Sequence, residues 1–125
     1  LVGGNLSVLY SMLGSPSFPN LQGCILALED LDEYRYHLDR MFWGLKRAGV
    51  LEGLAGVAVG SFSDMKDNAL PFGKEPLEII SEALPGDVPV AMGMPFGHES
   101  ANEAFITGYR YRLVVDSAGG HLSPL

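Results

Sequence analysis

A chain of 125 residues is the size of one domain, and hydrophobic residues at 47% with charged ones at 18% give it a globular composition rather than a disordered or fibrous one. The formal charge of −7, from eight Lys and Arg against fifteen Asp and Glu, argues against a nucleic-acid backbone or an anionic membrane as partner, because either needs a basic patch. The single cysteine, Cys24, can close no internal disulfide, no Cys/His metal-ligand spacing is present, and no apolar run nears the roughly 20 residues that span a bilayer.

The chain opens on Leu1-Val2-Gly3-Gly4-Asn5, without an initiator Met, and reads as a piece of something longer. Asn5 is placed to cap a short helix with Leu6, Leu9, Tyr10 and Leu13 at helical spacing, which Gly14 stops. Pro16 and Pro19 make residues 15–20 a rigid connector. Residues 23–28 form a compact apolar run that predicts a strand buried on both faces, ending abruptly at Glu29-Asp30. An amphipathic helix follows, with Tyr34, Leu38, Met41, Phe42 and Leu45 along one stripe. Asp30 or Asp32 is its expected cap, Lys46 and Arg47 suit its last turn, and Gly49 suits the left-handed position beyond.

Residues 56–62 read as a second buried strand, residues 63–73 as a polar loop, and residues 75–84 as a second amphipathic helix with Leu77, Ile80 and Leu84 inward. Residues 88–92 predict a third short strand, and residues 93–102 a loop shaped by Gly and Pro. The tail alternates as antiparallel β-structure: residues 104–107, a turn at Gly108, residues 111–115, and a short strand at His121-Leu122. Strands alternating with helices and then a hairpin predict a small α/β domain, a mixed sheet with helices packed on it.

Two positions past predicted strand ends can carry chemistry, and ligands collect at that edge of open α/β sheets. Glu29 is either an accessory to the following helix terminus or a functional acid. His98 is either a surface loop residue or a general base, for which imidazole is suited by titrating near neutrality. His37, inside the amphipathic helix, and His121, in the polar tail, read as structural or surface residues, and Cys24 as an inert buried thiol. None of the serines sits in a Gly-x-Ser-x-Gly elbow, so the residues alone describe half of an active site.

Five blocks in fixed order add to this: Gly3-Gly4-Asn5-Leu6-Ser7, residues 23–30 (GCILALED), residues 36–41 (YHLDRM), Gly93-Met94-Pro95-Phe96-Gly97-His98, and Asn102. The series resembles the C-terminal half of the LD-carboxypeptidase family of serine peptidases, which includes the microcin-C immunity peptidases. The resemblance runs over nearly the whole chain. It implies the swivelling-type C-terminal domain of a cofactor-free, cytoplasmic bacterial enzyme. Such an enzyme cleaves the L,D-amide to terminal D-alanine in murein tetrapeptides during cell-wall recycling.

The family's triad is Ser-Glu-His, the serine being carried on an N-terminal Rossmann-like domain, which is the implied partner of residues 1–125. By motif the Glu falls on Glu29 and the His on His98. Gly4 and Asn5 either offer backbone N–H groups to a substrate carboxylate or form a tight turn with an N-cap. The other functional readings are a non-catalytic module that binds muropeptide or a partner, and a peptidase of the microcin-immunity type. A surface facing the serine domain, or a second copy in a homodimer, is expected to leave Phe96, Met94 and Phe18 more exposed than Leu26, Val57 or Leu38, unless Phe96 folds inward to fill its own core.

Overall fold

The computed structural model describes all 125 residues. Strands β1 (Val2–Asn5), β2 (Ile25–Leu31), β3 (Gly56–Ser63) and β4 (Val90–Ala91) form one sheet in that spatial order, every neighbouring pair parallel. The helices α1 (Leu6–Ser11), α2 (Arg35–Arg47) and α3 (Pro76–Ala83) are the connections between them. Strands β5 (Tyr111–Asp116) and β6 (Gly119–Pro124) make a separate antiparallel hairpin. The domain is therefore α/β with parallel and antiparallel sheets together.

Alternation along β2 assigns the layers, since successive strand residues point to opposite faces. Leu26 and Leu28, with Val57 and Val59 of β3, join Leu38, Met41, Phe42 and Leu45 of α2, Ile79 and Ile80 of α3, and Leu6 and Leu9 of α1 in the main core. Ile25, Ala27 and Ala58 face the other way, toward Leu1 and Phe96, with Tyr111, Leu113 and Leu122 of the hairpin packed behind. All but the last residue of β2 is buried, as a strand covered on both faces requires.

The structure corrects the sequence expectations at four places. Val2-Gly3-Gly4-Asn5 is an edge strand, in register with Leu26 to Glu29, rather than only a turn before a cap. Gly3 permits close backbone approach, while a Cβ at Gly4 would meet nothing within 4 Å. Gly3 has φ +129°, and a Cβ there would lie 2.0 Å from the Ala27 carbonyl oxygen. Gly3→Ala is accordingly expected to cost at least the about 1–3 kcal/mol typical of overpacking, read as a lower urea midpoint with an unchanged m-value.

Asp30 and Asp32 do not cap α2. Strand β2 runs on to Leu31, so Asp30 is a strand residue, and α2 starts after Tyr34 with no side-chain cap. Its N-terminus is fixed instead by the chain at Lys66, which donates its N–H to Glu33 and accepts from Arg35 N–H. On α3, Ile79, Ile80 and Ala83 define the buried face, which leaves Leu77 to one side and 50% exposed. Residues 104–107 are not a strand; the chain does turn at Thr107-Gly108, but the hairpin of β5 and β6 has its own turn at Ser117-Ala118, where Asp116 accepts the Ala118 N–H. Residues 104–107 are held as coil: the Phe105 ring meets Phe96 edge-on at 4.9 Å, and Ile106 N–H bonds the Tyr111 hydroxyl.

Candidate active site

Because β1, β2 and β3 are parallel, their C-terminal ends share one edge, and Asn5, Glu29 and Ser61 lie along it. The register breaks there. Leu28 pairs with Val59 but Asp30 pairs with Phe62, so Gly60 and Ser61 together oppose Glu29. A bulge of this kind bends the ladder and re-aims a side chain, as bulges next to active sites do. Glu29 has the parity of Ile25 and Ala27 and therefore points to the hairpin side, only 8% exposed.

The loop bearing His98 is laid along β3. Met94 N–H bonds the Val59 carbonyl, Ser61 N–H bonds the Phe96 carbonyl, and His98 N–H bonds Ser61 Oγ at 3.0 Å. The loop can lie this close because residue 60 is glycine: a Cβ there would meet Phe96 atoms at 2.4–2.5 Å. The result is that His98 Nδ1 stands 2.8 Å from Glu29 Oε2, across 69 residues of sequence.

A carboxylate accepts hydrogen bonds, so this contact assigns the proton to Nδ1 and leaves the Nε2 lone pair free. The imidazole is half-exposed, and it lines an open cleft of about 480 Å³ together with Gly4, Glu29, Phe96 and Phe105. A buried acid behind an exposed imidazole is the arrangement that makes a histidine a general base with a fixed tautomer. No serine hydroxyl of the chain bonds this ring; Ser61 meets only the His98 backbone.

The other sequence candidates fall elsewhere. Gly4 lines the cleft. The Asn5 side chain is committed to structure, its Oδ1 capping α1 through Val8 N–H and its Nδ2 bonding Asp30. His37 pairs with Glu33, which lies just before α2, at 2.6 Å, and not with Glu29. Phe96 is 6% exposed and fills the second core, so of the two readings of this residue the inward one holds and the docking rim does not. Met94 and Phe18 are half-buried, more accessible than Leu26, Val57 or Leu38. Sequence reasoning missed Gly60 and Ser61, whose signal is a Gly-Ser pair interrupting an otherwise apolar strand run. No three His, Cys, Asp or Glu side chains group to hold a metal ion, and no helix is long and apolar enough to cross a membrane.

Residues 1–113 match the family model described as the LD-carboxypeptidase C-terminal domain. A putative carboxypeptidase of Synechocystis is 36% identical over 125 residues, covering 98% of this chain and 40% of that protein. Among solved structures, a muramoyltetrapeptide carboxypeptidase from Oxalobacter formigenes superposes with a TM-score of 0.84 at 31% identity, over 97% of this chain and 43% of that one. The wild-type microcin C7 self immunity protein MccF superposes with a TM-score of 0.64 at 28% identity, over 75% of this chain and 28% of that one. The chain thus spans about two fifths of the length of the carboxypeptidases it matches. With its fold, its sequence and its five motif blocks in agreement, the chain belongs to the LD-carboxypeptidase family, as the C-terminal domain.

Proposed function

We propose that residues 1–125 supply the Glu and His of a Ser-Glu-His triad to a serine-type LD-carboxypeptidase that releases terminal D-alanine from murein tetrapeptides in cytoplasmic peptidoglycan recycling. The observation that carries this reading is the 2.8 Å contact between His98 Nδ1 and Glu29 at the strand-end edge. The muramoyltetrapeptide carboxypeptidase among the structural neighbours supports the substrate class.

In this mechanism the nucleophilic serine comes from a partner domain outside these residues. His98 Nε2 takes the hydroxyl proton as the oxygen attacks the amide carbonyl of the L-centre. It then delivers that proton to the departing D-alanine nitrogen, so the leaving group is a neutral amine. Water, activated by the same nitrogen, hydrolyses the acyl-enzyme. Glu29 holds the ring in the required tautomer and stabilises the imidazolium formed in each half-reaction. Placing the acid–base pair and the nucleophile on separate domains makes closure the step that assembles the site and excludes water.

The test compares the intact enzyme with residues 1–125 alone on murein tetrapeptide. D-alanine is expected from the intact enzyme and none from the isolated domain, whose His98 ring meets no hydroxyl. An intact protein that binds the tetrapeptide but releases no D-alanine would instead make this chain a muropeptide-binding module.

A further inference from the structure

His98 lies on a loop without regular secondary structure, yet its ring must hold a hydrogen bond to Glu29 while its other nitrogen works on substrate. The direction of its Cα–Cβ bond depends on the orientation of the Gly97–His98 peptide plane. That single peptide group is gripped at both ends by side chains. Its N–H donates to Ser61 Oγ at 3.0 Å, and its carbonyl accepts from Asn102 Nδ2 at 2.8 Å. The two grips have different origins, one in the β3 bulge and the other five residues farther along the loop.

The backbone ladder between β3 and the loop runs through Met94 N–H to Val59 O and Ser61 N–H to Phe96 O. At His98 the next acceptor in this alignment is the Ser61 side chain instead of a carbonyl. Gly97 completes the fit: at φ +120° it brings the plane to where a Cβ would lie 2.2 Å from Ser61 Oγ.

We propose that Ser61 and Asn102 are positioning residues for the carboxypeptidase reaction, clamping the Gly97–His98 peptide so that His98 keeps its bond to Glu29 as it gains and loses a proton. The proposal rests on the catalytic reading of His98 and Glu29 given above. Neither residue touches the reacting atoms. Their effect belongs in kcat, since misplacing a catalytic group by about 1 Å costs on the order of 100-fold.

The experiment uses the intact enzyme with Ser61→Ala, Ser61→Thr and Asn102→Asp, and Ser81→Ala as a remote control. Asn102 is on the surface, so Asn102→Asp removes the donor without disturbing the core. The expected result is a fall of about 10- to 100-fold in kcat for Ser61→Ala and Asn102→Asp, with KM little changed. Ser61→Thr, which keeps the hydroxyl, is expected to recover most of the activity, and Ser81→Ala to match wild type. In NMR spectra the hydrogen-bonded Nδ1–H proton of His98 should weaken or vanish in the two impaired variants and persist in Ser61→Thr.

If His98→Ala is inactive while Ser61→Ala and Asn102→Asp keep wild-type kcat, the clamp is refuted and the catalytic reading stands. A loss expressed in KM alone, or a loss of kcat with the Nδ1–H signal unaltered, also overturns the clamp. An active His98→Ala enzyme removes the catalytic reading, and the clamp with it.

Discussion

His98→Ala in the intact enzyme is expected to lower kcat for D-alanine release by about 10,000-fold or more, with KM nearly unchanged. The imidazole is the one group in the cleft placed to move a proton with its second nitrogen already oriented. Glu29→Gln is expected to fall in a similar range, about 1,000- to 10,000-fold. The amide matches the carboxylate in shape, but it can turn its NH₂ toward the ring and then favours the tautomer with Nε2 protonated, which cannot accept a proton from the proposed serine. The imidazolium would also lose its counter-charge, a contribution enlarged because Glu29 is almost withdrawn from solvent.

The two substitutions act on one unit, so the double variant should be scarcely slower than His98→Ala alone. Steady-state release of D-alanine from murein tetrapeptide measures all three proteins. Single variants within tenfold of wild type, or effects that multiply in the double variant, would remove Glu29 and His98 from the mechanism.

The parts of this structure legible in the sequence are those with strong local pattern. The apolar runs of β2 and β3 and the stripe on α2 announce buried strands and an amphipathic helix, and all three form; β3 keeps nearly its expected bounds, while β2 starts two residues later and runs on through Glu29 and Asp30 to Leu31. Strand β1 was hidden because its two glycines signal a turn as readily as a close backbone contact, and only the partner strand decides between them. The tail hid its hairpin for a related reason: the chain turns both at Gly108 and at Ser117-Ala118, and only cross-strand pairing from Tyr111 to Pro124 makes the second the hairpin turn.

At the site, Glu29 and His98 were nameable from the motif blocks, and the implied triad already paired them, as the 2.8 Å contact bears out; what the sequence hid is how they meet, across a bulge. No local periodicity encodes a register break between β2 and β3. Phe96 shows the converse limit. A loop aromatic can rim a surface or turn inward until the sheet face beside it is known, and here that face carries Ala27 and Ala58, small residues that leave it room.

Asp30→Ala should be the most destabilising single change next to the site, lowering the unfolding free energy by about 3–5 kcal/mol while Glu29→Gln leaves stability near wild type. Asp30 is 2% exposed with no cation beside it, and its charge is balanced entirely by hydrogen bonds. Oδ1 accepts from Asn5 Nδ2 and Leu31 N–H, both at 2.9 Å, and Oδ2 accepts from Ser7 N–H at 2.9 Å and Ser7 Oγ at 2.6 Å. The Ser7 hydroxyl has one proton and also lies 2.9 Å from Glu33, so the shorter contact assigns that proton to Asp30.

Bonds to a charged acceptor are worth about 1.5–3 kcal/mol each, and unpaired donors left behind add their own desolvation cost. Two lost bonds already reach the stated range, and water entering the vacated space offsets part of the remainder. Asp30→Asn should be nearly as harmful as Asp30→Ala, because the new NH₂ would face donors on whichever side it turned. These bonds tie the start of α1 to β2 one residue beyond Glu29, so Asp30 variants should lose activity in step with folded protein. Glu29→Gln should instead lose activity in fully folded protein. Urea unfolding of the three variants alongside kinetics separates the cases, and an Asp30→Ala midpoint equal to wild type would show that the carboxylate does not hold the two elements together.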